Sequence, residues 1–384
     1  MSRNEPWRRE DALALAVRGG REPLDLSLGV PADPPARVPG PASPSPMPGR
    51  SQGSAFPATL AEYPPSSGTV GLREAAARHM LRRYQVVVPL EAVAACVGSK
   101  EFISTLPLFL RDMRRPNTNG PERDTVLIPA LGYPAYEFGA RLAGLRAHRV
   151  PVDDAFRMRL DLVPERVAVR ALCLWVNSPA NPTGVVEPLG PVADWGRAHG
   201  VVVASDEAYA EATWCHEPRT ILSHGLDGVL AVHSMSKRSN SPGLRVGFYS
   251  GDPSLVAGLA RRRREAGLMA AAASQEAACA LLDDDGHAEE QRARNARRVA
   301  DLVECLNAHR LGCTAPAGGL FAWVPAPGGD GVAFARRAAK QAGLIIQPGC
   351  EYGPAGHPYV RFAAVRDAAS VAWRLDLLSR TPVP

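Results

Sequence analysis

The sequence predicts an α/β protein, with a large part built on a mostly parallel central sheet flanked by helices and a smaller α/β part after it. Two observations carry this. At 384 residues the chain exceeds the roughly 250 to 300 at which a single hydrophobic core stops growing, so one large and one smaller unit is the natural division. Through its middle, short apolar runs alternate with amphipathic segments. The runs are "TVLIPA" (125–130), "RALCLWVN" (170–177), "GVVVASDEAY" (200–209), "GVLAVHS" (228–234) and "LRVGFYSGD" (244–252), with helical patterns such as 139–145 and 188–199 between them. Apolar strands separated by helices are the mark of βαβ units.

Taken in order, residues 1–57 form an N-terminal segment ending in a loop, expected to join the smaller part. Within it "VPADPPARVPGPASPSPMPGR" and the residues up to Pro57 hold too many prolines for a helix or central strand. Residues 58–265 contain the apolar runs and make the large part. From about Ser254 the pattern turns long and helical, through "SLVAGLARRRREAGLMAAAASQEAACALL" and on to Leu306. The pieces "GGLFAWVPA", "LIIQPGCEYG" and "YVRFAAV" and a last helix complete the smaller part, 266–384.

Composition excludes several classes of function. A net charge of +5 is too mild to imply a nucleic-acid or membrane surface, and the run Arg261–Arg264 points around all sides of a helix, which reads as a solvated face. Seven scattered cysteines without a CxxC favour a reduced, cytoplasmic protein. No signal-peptide pattern and no stretch of about 20 apolar residues occurs, and neither the nine histidines nor "DDDGH" (283–287) has metal-ligand spacing.

In an open parallel sheet, ligands bind beyond the carboxyl ends of the strands. The residues there are polar and specific: Tyr133 and Tyr136, Asn177 and Asn181, Asp206 and Tyr209, Ser234, Ser236 and Lys237. A desolvated lysine at such a site becomes a neutral amine able to attack a carbonyl. Partnered with an acid facing a pyridinium nitrogen, it suits pyridoxal 5'-phosphate. Asp206 fills that place, Tyr209 and Asn181 suit the ring hydroxyl, and Tyr133 can stack on the ring. The phosphate needs a helix start, hydroxyls and a cation. "VGSKEFIST" (97–105) offers the first through Ser99 and Lys100, while Ser234, Ser236 and Arg245 offer the rest. Taken singly, Asp206 also reads as the cap of a helix starting at Glu207, Asn181 as a turn residue before Pro182, and Lys100 as an exposed helix lysine. Asn177 receives no role.

Together "NSPANPTG" (177–184), "SDEAY" (205–209) and "SMSKRSNSPGLRVGF" (234–248), with "GSKE" and "GYPAY" upstream and "YVRFA" near the end, resemble class I/II aminotransferases, enzymes of fold type I dependent on pyridoxal phosphate. The resemblance spans almost the whole chain. It implies that Lys237 holds the cofactor as a Schiff base and then shuttles a proton. It further implies that Asp206 pairs with the ring nitrogen, Tyr209 and Asn181 with the ring oxygen, and Arg361 with the substrate α-carboxylate beside Gly29. Tyr63, in "EYPPSSGTVGLREA", resembles a tyrosine that reaches the phosphate of a neighbouring subunit, which implies a homodimer with shared sites. Details such as "AVHSMSK" and "LLDDDGHAEEQRAR" resemble bacterial succinyldiaminopimelate aminotransferases, implying transfer between glutamate and N-succinyl-2-amino-6-ketopimelate. The alanine run 268–277 and the long Pro-rich loop depart from that pattern on the substrate side. The alternative is a C–S β-lyase or oxidative deaminase of a specialised pathway, since these share the first steps on the same cofactor. A regulator that only senses the cofactor would want a helix-turn-helix domain before the fold, and only about twenty-five residues precede "LDLSLGV".

Overall fold

In the computed structural model, which describes residues 7–30, 32–36, 63–114 and 122–380, the apolar runs assemble into one seven-stranded sheet. Its order is Val93–Cys96, Gly247–Gly251, Val229–Ser234, Val202–Asp206, Ala171–Asn177, Thr125–Pro129 and Arg146–Val150. The last five are parallel to one another, and Gly247–Gly251 runs antiparallel to both its neighbours. Every residue of the first six is buried, because helices cover both faces. Alternate side chains feed two different clusters. Leu174, Val176 and Val203 pack with Leu72 and Met80 on one face, while Cys173, Trp175 and Val202 pack with Phe102 and Leu106 on the other.

Two strands had no counterpart among the apolar runs read from the sequence. Arg146–Val150 is the outer strand and reads Arg-Ala-His-Arg-Val, mostly unburied, so it lacks the continuous apolar run of its neighbours. Val93–Cys96 is a four-residue strand at the other edge. The helix expected over 139–145 begins earlier, as Ala135–Leu142. The basic run corrects a second expectation: Arg263 is not on a solvated face but fully buried, with Glu101 as its partner.

A third cluster gathers Trp7, Ala12, Ala16 and Leu26 from the start of the chain with Leu306, Phe321, Phe362 and Val371 from its end. Leu24–Asp25 pairs in parallel with Leu344–Ile345, and Gln347–Pro348, Tyr359–Ala363 and Phe321–Pro325 form an antiparallel three-stranded sheet. Of the Pro-rich loop, residues 32–36 contain neither helix nor strand, and Asp33 is held by Arg298 at 3.0 Å and Gln291 at 2.7 Å. Its residues 37–57 lie outside the described ones. The alanine run leads into the helix Ala272–Asp283, which packs on Val70–Tyr84, and Gln275 accepts the amide of Thr69 at 2.7 Å. Among the described residues no helix is long and apolar enough to cross a membrane.

Candidate active site

Beyond the carboxyl ends of the parallel strands lies a cavity of about 490 Å3. Its floor is made by residues at strand ends. Asp206, the last residue of Val202–Asp206, is 4% exposed. No helix starts at Glu207, so Asp206 is not a helix cap. Its Oδ1 accepts the Ala208 amide at 3.1 Å and its Oδ2 accepts the Tyr136 hydroxyl at 2.8 Å. Burial pushes its carboxyl up to about 6, and those two donors pull the other way by favouring the anion. Tyr136 is itself fixed by stacking on Trp175 at 5.2 Å.

Lys237 sits on the short helix Met235–Arg238 just past Val229–Ser234, and its Nζ donates to the carbonyl of Gly29. Burial, then the charges of Arg361 and Arg245, lower its ammonium to about 8. A sizeable neutral fraction of this amine therefore exists near neutrality. The Tyr209 ring lies 5.9 Å from Nζ, and burial holds its phenol well above the usual range.

One end of the cavity is a cup of donors. The helix Ser99–Met113 starts at Gly98, which has φ 79° and supplies no side-chain cap, so the first-turn amides have no capping side chain. Gly98 also lacks room for a Cβ, which would stand 2.6 Å from Arg245 Nη2. Ser234 Oγ accepts the Ser236 amide at 3.2 Å, and both serines line the cavity with Arg245.

The opposite wall comes from the smaller sheets and the N-terminal segment. Arg361 is 5% exposed, gives Nη1 to Asn181 Oδ1 at 2.7 Å and Nη2 to the Ser27 carbonyl, and lies 4.0 Å over the Phe321 ring and 5.0 Å from Tyr352. Its Nε is buried without a partner among the described residues, and only two of its five N–H donors are committed to these bonds. Gly29 approaches Phe321 so closely that a Cβ would stand 2.7 Å from the ring.

Every residue given a role from the sequence lines this one cavity except Tyr63, which is 92% exposed, while Tyr136 lies fully buried beneath it. Lys100 contributes an exposed side chain whose Nζ is 6.0 Å from the Tyr133 ring. Two residues left without roles have clear ones. Asn177 donates to the Asp206 carbonyl at 2.8 Å and accepts the Asn181 amide at 2.7 Å, tying two strand ends together. Tyr136 holds Asp206, and the "GYPAY" spacing, three residues after Tyr133 on a helix start, was the available signal. Ser27, Gln347, Glu351, Tyr352 and Phe321 also line the cavity, and no local pattern marks them.

This donor set suits a phosphorylated pyridine aldehyde: a lysine with a lowered pKa, a buried carboxylate between two donors, and an uncapped helix start beside an arginine. The chain matches the family model for aminotransferase class I and II over residues 51–369 and belongs to that family, whose members generally depend on pyridoxal phosphate. It is an aminotransferase. Over 309 residues it is 39% identical to the 4-dedimethylamino-4-oxo-anhydrotetracycline transaminase of Streptomyces rimosus, covering 78% of this chain and 80% of that one. Over 379 residues it is 37% identical to a probable aminotransferase of Mycobacterium tuberculosis, covering 96% of this chain and 83% of that one. Among solved structures it is similar to a probable N-succinyldiaminopimelate aminotransferase of Thermus thermophilus, with a TM-score of 0.80 and 26% identity over 96% of this chain and 98% of that one.

Proposed function

We propose that this aminotransferase carries pyridoxal 5'-phosphate on Lys237 and moves the amino group of an amino acid, glutamate as first donor, to an oxo acid. The observation that carries this is the convergence of Lys237, Asp206 and Arg361 on one cavity. Asp206 would hold the ring nitrogen, Asn181 and Tyr209 the ring oxygen, and Tyr133 the ring face. Ser99, the Lys100 amide, Ser234, Ser236 and Arg245 would hold the phosphate. When bound, the cofactor supplies an electron sink for the carbon that bears the amino group.

The chain's own residues do the rest. Arg361 presents a planar fork suited to an α-carboxylate, already oriented by Asn181, the Ser27 carbonyl and the Phe321 ring. Lys237, once its amine is released, accepts a proton at Nζ and returns it, which its pKa of about 8 makes easy in both directions. Residues 27–30 and Tyr352 line the cavity beside it.

The acceptor is proposed as N-succinyl-2-amino-6-ketopimelate, in line with the name of the Thermus neighbour. The name of the Streptomyces relative makes an oxo group on a polycyclic compound the second acceptor to assay. Tyr63 is proposed to reach the phosphate of a partner in a homodimer, consistent with its exposure. The proposed division into 1–57, 58–265 and 266–384 draws support from the separate cluster that joins both chain ends, while the helix Ala272–Asp283, placed in the last of these, packs instead with the core of the large part.

The test has two parts. Borohydride reduction and peptide mapping should label Lys237; a label elsewhere defeats the assignment. Glutamate with a panel of oxo acceptors should give 2-oxoglutarate, whereas pyruvate and ammonia from S-substituted cysteines, without amino transfer, would make the protein a β-lyase.

A further inference from the structure

Behind the donor cup, out of contact with the cavity, lies an ion pair that the chemistry above does not use. Arg263, on the helix Pro253–Glu265, is fully buried and grips Glu101 with both arms, Nη1 to Oε1 at 2.8 Å and Nη2 to Oε2 at 2.6 Å. Its guanidinium stands 5.8 Å from the ring of Phe102 and 5.9 Å from that of Tyr249, two rings that stack on each other at 4.4 Å. The Glu101 carboxylate is used twice more. Oε1 accepts the Thr105 hydroxyl at 2.9 Å, and Oε2 reaches back past the helix start to accept the Val97 amide at 3.1 Å.

Val97 is the joint. Its N–H goes to Glu101, and its carbonyl accepts Arg245 Nη2 at 3.4 Å on the cavity side. Glu101 is the third residue of its helix, the place from which a capping-box glutamate returns to the cap residue; here it returns one residue further, leaving the first-turn amides unclaimed. The Val97–Gly98 turn is thus held from behind by Arg263 and Glu101 and from the front by Arg245. Stability alone does not explain such a pair, because a buried ion pair often does no better than well-packed apolar residues of the same size.

We propose that Glu101 and Arg263 are positioning residues for phosphate recognition, setting through Val97 the direction of the Ser99 and Lys100 amides and the distance to Arg245. The proposal rests on the reading of this cup as the phosphate site. Neither residue touches the ligand, so each acts only through the geometry of the turn.

The discriminating experiment titrates apo-protein with pyridoxal 5'-phosphate and with pyridoxal, which lacks the phosphate, following the absorbance of the bound chromophore. Glu101→Gln alone strands a buried guanidinium and keeps an oxygen that can accept the Val97 amide, so the double variant Glu101→Met/Arg263→Met carries the test, with its fold checked by circular dichroism and melting. Expected is a loss of about 10- to 100-fold in affinity for the phosphorylated ligand, the range for losing a charge-assisted hydrogen bond, with pyridoxal affinity unchanged. An equal loss for both ligands, or no loss in a folded double variant, overturns the positioning role. A wild-type protein that binds both ligands equally removes the cup itself, which separates failure of the functional reading from failure of this proposal.

Discussion

At the floor of the cavity, Asp206, Asn177 and Ser234 each end a strand, and Lys237 follows three residues after one. On the wall, Arg361 is a mid-strand residue of the small sheet whose orientation depends on Ser27, Asn181 and Phe321, from three distant parts of the chain. The floor owes its geometry to adjacent, buried, hydrogen-bonded strands. The wall owes its geometry to how the N-terminal segment and the small sheet meet the large one. The floor is thus set within one sheet, while the wall is set by segments distant in sequence and joins the floor through Asn181, which bonds both Arg361 and Asn177.

The harshest break on the floor is Lys237→Ala. It should cut turnover by about 10^4-fold or more, having removed both the attachment point and the proton carrier. Single-turnover measurements on the reconstituted variant check this. In the wild type, the rate of cofactor attachment should rise with pH and level off above about 8, as Nζ loses its proton. A flat profile would mean that burial does not free the amine.

Asp206→Asn should come next, with activity down about 10^2- to 10^4-fold and, in the apo-protein, the opposite effect on stability. The folded-state pKa of Asp206 is raised from 3.8 to about 6, so the folded protein binds the extra proton in that window. Its ionisation therefore costs stability as pH rises from about 4 to 6, and the cost is complete above 6. The Asn variant should be more stable than wild type by about 3 kcal/mol at pH 7 and alike near pH 3. Melting curves across that range test it, and a destabilised variant at pH 7 would show that the carboxylate is not held at a cost.

That cost also explains which features were legible. Polar residues just past buried apolar runs mark where to look, yet singly Asp206 also reads as a helix cap and Asn181 as a turn residue; they were readable, with Lys237 and Ser234, because "NSPANPTG", "SDEAY" and "SMSKRSNSPGLRVGF" occur together and in order. Ser27, Phe321 and Tyr352 were not, since each sits in an ordinary local pattern and acquires meaning only when distant segments meet. Arg263 shows the same limit sharply. Inside "RRRR" it looks identical to its neighbours, yet packing gives Arg262 the carboxylate of Asp112 at the surface and buries Arg263 against the partly buried Glu101. The outer strand Arg146–Val150 was hidden for the reverse reason, its half-exposed position permitting a polar sequence.

On the wall, Arg361→Lys should raise KM for amino acids about 10- to 100-fold with a smaller change in kcat. An ammonium cannot reproduce the fork that Asn181 and the Ser27 carbonyl orient. A kcat loss without a KM change would move Arg361 from substrate grip to floor support and erase the distinction between the two regions.

The smallest effect sharpens the floor. Tyr136→Phe removes one of the two donors that oppose burial at Asp206, while keeping the stack on Trp175. With only the Ala208 amide left, the Asp206 pKa should climb further above 6, by about one unit for the loss of a neutral donor. In the apo-protein the loss of stability that is complete near pH 6 in the wild type should extend to about one unit higher in the variant, as melting curves across that range would show. An unchanged stability profile would show that Tyr136 packs the floor without tuning its charge.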